Sequence, residues 1–180
     1  MKKSPFLNAP QPTTSDKSIR TSEKEVLKII LFQPQIPANT GNIVRTAHVT
    51  GASLSLVRPL GFSVSNRHLK RAGLDYWEGV DVTFIDDLFE YLKRTNRRPI
   101  FFSSQASQSY TEIQYQTDDM LIFGSETEGL PSIFKENWPE NFVTLPMKKG
   151  ARCLNLSNSV AIALYEAWRQ IEFKPMSQNS

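Results

Sequence analysis

Residues 27–50 read LKIILFQPQIPANTGNIVRTAHVT: an apolar run, a Pro/Gln turn and a helical segment in immediate succession. The run at 27–32 suits a strand buried on both faces, because it is apolar almost throughout and does not alternate. Pro34 and Pro37 punctuate the turn. A helix is expected from about Thr40 to Thr50, with Asn39 as its N-cap and Gly51 as its stop. A strand leading directly into a helix is the unit from which parallel, doubly covered sheets are built.

The same alternation runs outward from this unit. Strands are expected at 53–57, 82–85, 100–103, 120–123 and 142–145, with helices at 65–71 and 86–94. Leu88, Phe89 and Leu92 form one face of the second of these helices. The clearest helix starts at Ser157 as cap and runs to about Ile171. Its Val160, Leu164, Trp168 and Ile171 make a single stripe at spacings of four, four and three. The fold class is therefore α/β, a mostly parallel sheet with helices on both faces.

Length, composition and charge narrow the function classes. A chain of 180 residues with 39% hydrophobic residues buries one core and is short for two. Residues 1–26 hold three prolines and no periodicity, and are expected to be a disordered extension; 27–173 form the domain, and 174–180 a frayed tail. The net charge of +3 is concentrated early, with five basic against three acidic residues in 1–26. The remaining 16 basic and 15 acidic residues nearly cancel, so only local clusters speak for a polyanionic partner. Cys153 is the single cysteine, which excludes an intrachain disulfide. His48 and His68 lack metal-ligand spacing, so no metal is expected. There is no apolar run of membrane-spanning length and no signal-peptide core, which gives a cytoplasmic expectation.

In parallel sheets, ligands sit where loops leave the carboxyl ends of strands. Three such loops are chemically unusual. The first, QPQIPANTGNIVR at 33–45, leads into a helix N-terminus that favours an anion, with Arg45 about one turn inside; Arg45 is equally consistent with a solvated side chain. The second, FGSETEGLP at 123–131, pairs Gly124 and Gly129 around Glu126 and Glu128. It lacks the lysine and hydroxyl of a phosphate loop, and its carboxylates suit a sugar hydroxyl or an amino group, or simply an acidic turn. The third, LPMKKGARCLNLSN at 145–158, carries Lys148, Lys149 and Arg152, then a half-buried stretch from Cys153 to Leu156. Asn155 there either braces the loop or faces a ligand, and Cys153 reads as a buried structural thiol.

Taken in order, IPANTGNIVRTA (36–47), RAGLDYW (71–77), FGSETEGLP (123–131) and LNLSNSVAIALYEAWRQ (154–170) resemble the motifs of the SPOUT class of RNA methyltransferases. The chain is most similar to the small tRNA (cytidine/uridine-34) 2′-O-methyltransferases, over about residues 27–173. The resemblance implies a C-terminal trefoil knot, a homodimer, and S-adenosylmethionine as methyl donor, with S-adenosylhomocysteine as product. It places the donor against Phe102, Gly124, Leu145, Cys153 and Leu154, with Glu126 and Gly129 shaping the second loop. It assigns Arg45 to catalysis and Asn155 to a position near the transferring group. Two departures from the family pattern fall in these motifs: Ser125 and Glu128 stand where proline and arginine are common, and Cys153 where serine is frequent.

The implied reaction is 2′-O-methylation of the wobble ribose in tRNA, with the anticodon loop as partner. Arginine stays protonated, so Arg45 is expected to clamp phosphate and stabilise developing negative charge rather than act as base. Arg67, Lys70 and Arg71, beside Tyr76 and Trp77, form a candidate RNA surface in which the rings stack unpaired bases. Lys93, Arg94, Arg97 and Arg98 form a second cluster at a helix end, where the helix dipole accounts for much of it. The alternatives are 2′-O-methylation of another tRNA or rRNA nucleotide, and a catalytically silent RNA-binding factor on the same fold.

Overall fold

A computed structural model describes residues 26–63 and 80–176. The apolar run that opens the domain forms β1 (Lys28–Phe32), followed by α1 (Pro37–Thr50) and β2 (Ser53–Val57). Then come β3 (Val82–Ile85), α2 (Leu88–Arg94), β4 (Pro99–Phe102), the two-residue β5 (Gln108–Ser109) and β6 (Met120–Phe123). The chain ends with α3 (Ser132–Asn137), β7 (Phe142–Thr144) and α4 (Leu156–Gln170). The strands pair in the order β3-β2-β1-β6-β4-β7-β5, and every pairing is parallel.

Register explains why the central strands are apolar on both faces. Ile29 lies opposite Leu54 and Leu121, and Ile100 opposite Leu121, so these side chains share one face. That face packs against Ile43, Val44 and Ala47 of α1 and Val160, Ala163, Leu164 and Ala167 of α4. Ile30, Ile122 and Phe101 point the other way, against Leu88 and Leu92 of α2 and Phe134 of α3. Two dry layers, one on each side of the sheet, thus hold the four central strands in place.

Several local expectations need correction. Helix α1 begins at Pro37, a residue that fits the first helical position, so Asn39 lies inside the helix and caps nothing. Ile36 occupies the cap position without a side-chain bond; Gly51 ends the helix in the left-handed conformation, as expected. In α4 the cap is Asn155 rather than Ser157: the Asn155 side-chain oxygen accepts from Ser157 N at 2.9 Å and Ser157 Oγ at 2.6 Å. The tail does not fray at Lys174. Trp168 Nε1 donates to Lys174 O at 2.9 Å, and Met176 is buried in the core.

The second basic cluster is also spent differently from expected. Helix α2 ends at Arg94, so Arg97 and Arg98 lie beyond it. Arg98 forks onto the fully buried Asp119 (2.8 and 2.7 Å), which also accepts from Gln116 N; Arg97 donates to Asp118 O and Val26 O. Hydrogen bonding to Asp119 raises the Arg98 pKa further. Both arginines fasten the amino-terminal end of the sheet, opposite the loops of interest. Among the described residues, no helix is long and apolar enough to cross a membrane. The expected helix at 65–71 and the extension at 1–25 lie outside the described residues.

Candidate active site

Because β1, β6, β4 and β7 are neighbours, the loops at their carboxyl ends meet. They enclose a cavity of about 550 Å³. Phe102 and residues 103–105 come from the β4 end, 123–130 from β6, Thr144, Leu145 and Met147 from β7, and 153–156 from the approach to α4. Ile36 and Asn39 enter from the β1 side. Phe102, Gly124, Glu126, Gly129, Leu145, Cys153, Leu154 and Asn155 all line this one cavity. Eight positions spread over more than fifty residues of sequence are therefore brought together.

The second loop closes on itself through its glycines. Ser125 N donates to Gly129 O (3.1 Å) and Gly129 N to Ser125 O (3.0 Å). A Cβ on Gly124 would lie 2.3 Å from the Gly129 carbonyl carbon, and Gly129 has φ +71. Glycine is required at the first position by close backbone approach and favoured at the second by backbone conformation. Beneath the loop, Phe102 and Phe123 stack with centroids 4.6 Å apart and planes 12° from parallel, giving the cavity an aromatic floor.

Glu126 does not present a free carboxylate. One oxygen accepts from Gln35 N at 2.8 Å; the other accepts from Ile36 N at 3.2 Å and Asn39 Nδ2 at 2.9 Å. The negative charge thus sits on the N–H groups just before α1, where the helix dipole favours it. Asn39, 5% exposed, passes the constraint on: its Oδ1 accepts from Asn155 Nδ2 at 2.9 Å. With the Asn155 cap on α4, one hydrogen-bonded chain joins all three loops. Sequence reading missed the central member, Asn39. Its position in the sequence reads as a local cap, while its partners lie 87 and 116 residues away. Glu128 lines the same cavity and is exposed.

Other site expectations fare differently. Within 153–156 only Leu156 is half-buried: Cys153, Leu154 and Asn155 are exposed at the cavity, and Cys153 is a free thiol on its wall rather than a core residue. Arg45 is exposed on α1, more than two turns from the helix start, because the helix begins at Pro37. It is not among the residues lining the cavity. Arg67, Lys70, Arg71, Tyr76 and Trp77 lie outside the described residues.

The model of the SpoU rRNA Methylase family matches residues 26–165. A Methylovorus glucosotrophus protein named tRNA (cytidine(34)-2′-O)-methyltransferase is 45% identical over 147 residues, spanning 81% of this chain and 96% of that one. A solved structure bearing on the 2-OH methylation of C/U34 on tRNA is 41% identical with a TM-score of 0.75, covering 82% of this chain and 97% of that one. The fold is shared more widely. A SpoU methyltransferase from Streptomyces viridochromogenes, solved with AdoMet, superposes with a TM-score of 0.74 at 21% identity, over 84% of this chain and 60% of the other. The parallel sheet, the cavity at its carboxyl edge and these matches place the chain in the SpoU methylase family.

Proposed function

We propose that the protein transfers a methyl group from S-adenosylmethionine to the ribose 2′-oxygen of the wobble nucleotide, cytidine or uridine 34, in tRNA. The observation that carries this reading is the convergence of the 124–129, 144–147 and 153–156 segments on one cavity in a SpoU fold. The names of the close relatives support the choice of nucleotide. A tRNA substrate supports a cytoplasmic location for the reaction.

The cavity suits the donor. Its volume lies in the range of roughly 300–1,000 Å³ typical of small-ligand sites. The Phe102–Phe123 floor and the walls at Leu145 and Leu154 fit a flat purine, and Gly124, Leu145 and Cys153, which line the same cavity, are assigned to hold its edge through their backbone groups. With Glu126 committed inside the protein, Glu128 is the carboxylate free to meet the donor's amino group. When bound, S-adenosylmethionine supplies a sulfonium methyl whose transfer to the 2′-oxygen leaves a neutral thioether and releases the hydroxyl proton.

The protein's contribution is mainly positional, and fixing two reactants in near-attack geometry lowers a barrier by up to about 7–11 kcal/mol. Glu126, Asn39 and Asn155 hold the loops in register; Asn155 keeps one amide hydrogen free at the cavity, where it can donate to substrate. Arg45 is assigned to the substrate as a phosphate clamp. Its exposed place on α1, outside the cavity wall, fits contact with RNA rather than with the donor.

The assembly is a homodimer with a knotted C-terminus. Ile162 and Tyr165 are exposed one turn apart on α4, Val49 is exposed on α1, and these two helices pack together, which supports placing a second copy against this pair. Calorimetry with S-adenosylhomocysteine tests the donor site. Saturable binding at one site per chain is expected; a folded protein that takes up none would end this reading.

A further inference from the structure

A second cavity of about 480 Å³ adjoins the donor cavity. Ser104, Thr144, Leu145, Met147 and Cys153 form part of the wall of both, so the two spaces abut. Lys148 is the one charged residue lining the second cavity among the described residues. Lys149 and Arg152 flank it on the same loop, which is folded by Ala151 N donating to Lys148 O (3.0 Å) and by Gly150 at φ +80. All three cations are exposed, and none has a side-chain hydrogen bond or ion pair among the described residues. By contrast, Arg58, Arg94, Arg98 and Arg169 each face a carboxylate.

The local sequence leaves this charge uncompensated. No acidic residue occurs between Glu140 and Glu166, in a domain whose charges otherwise nearly cancel. Three unspent cations on one tight turn, Lys148 among them lining a space that shares a wall with the donor cavity, match the chemistry of a phosphodiester backbone. A nucleotide held there would lie directly beside the donor cavity, across the wall the two spaces share.

We propose that the second cavity docks the acceptor nucleotide and that Lys148, Lys149 and Arg152 hold its flanking phosphates. The proposal rests on the methyl-transfer reading above and adds the place where substrate enters. Donor and acceptor then meet across Leu145, Met147 and Cys153.

The test uses the full chain with Lys148→Ala, Lys149→Ala and Arg152→Ala, singly and combined, against an unmodified tRNA transcript. The side chains are exposed and unpartnered, so melting temperatures should stay at the wild-type value. Filter binding should show a loss of about 3–10-fold per single substitution and about 100-fold for the triple. The slope of log affinity against log salt should fall by about 0.7 per cation removed, the single-strand value. S-adenosylhomocysteine affinity should stay within about twofold, and Arg152→Lys should recover most of the Arg152→Ala loss. A triple variant that binds tRNA within twofold of wild type would overturn the docking site, showing these cations to be merely solvated. A wild-type protein that binds tRNA but transfers no methyl group would overturn the assigned reaction instead, and the two failures are told apart by measuring binding and transfer separately.

Discussion

Asn39 shows how much a single side chain can decide in this molecule. Its amide donates to Glu126 and accepts from Asn155, so its orientation is fixed from both ends and three loops are held through it. Glu126→Gln replaces an acceptor oxygen with a donor beside backbone N–H groups that already donate. We expect a destabilisation of about 1–3 kcal/mol, the usual cost of an unsatisfied polar group, read by thermal melting. Donor affinity should fall by about tenfold in calorimetry, because the second loop loses its tether. Arg45→Ala should behave in the opposite way. Transfer should drop by about 10²–10³-fold, as when a group that stabilises developing charge is lost, while S-adenosylhomocysteine affinity stays within twofold. Wild-type activity in that variant would remove Arg45 from the mechanism. The sequence displayed Glu126 and Asn155 as unusual polar residues in glycine- or leucine-flanked loops. It hid Asn39, whose partners are distant and whose neighbourhood imitates a helix cap.

At the scale of elements, the apolar runs identified most of the strands because a doubly covered parallel strand has no polar face to blur its limits. Both long helices are legible by period, yet their starts lie three and two residues before the expected ones. The reason is that α1 takes its N-terminal partner from Glu126, far along the chain, and α4 takes its cap from Asn155, two residues before the apparent one. The two-residue β5 has no periodic signal at all. Late in α4, Glu166 accepts from Arg169 (2.9 and 2.8 Å) and Gln170 (2.8 Å), and Gln170 Oε1 accepts in turn from Tyr115 N. The Arg169 bonds, with the Gln170 bond helping, hold the Glu166 carboxyl below the usual carboxylate range. A depressed folded-state pKa stabilises the protein above the unfolded value of about 4.3, and that stability is lost as the pH falls through the folded value. Glu166→Gln should therefore lower the melting temperature at pH 7 and leave a smaller drop between neutral and acid pH. An unchanged acid profile would show that the cluster contributes nothing.

At the scale of the whole molecule, strand order could not be read from the chain, because β6 inserts between β1 and β4 and brings the 124–129 loop beside the loop after β1. The family motifs supplied what periodicity lacked: they named the loops that the sheet then gathers at one edge. The same architecture leaves Val49, Ile162 and Tyr165 exposed on the packed pair α1 and α4. On the proposed dimer, Ile162→Glu combined with Tyr165→Glu should shift a dimeric wild type to monomer in sedimentation equilibrium; a double variant that sediments as the wild-type dimer would place the interface elsewhere. The central claim is chemical and is tested by incubating the purified protein with S-adenosylmethionine and unmodified total tRNA, then mapping modified nucleotides by mass spectrometry. The account predicts a new 2′-O-methyl group on cytidine or uridine at position 34. A methyl mark confined to other positions, or to a base instead of a ribose, would contradict it.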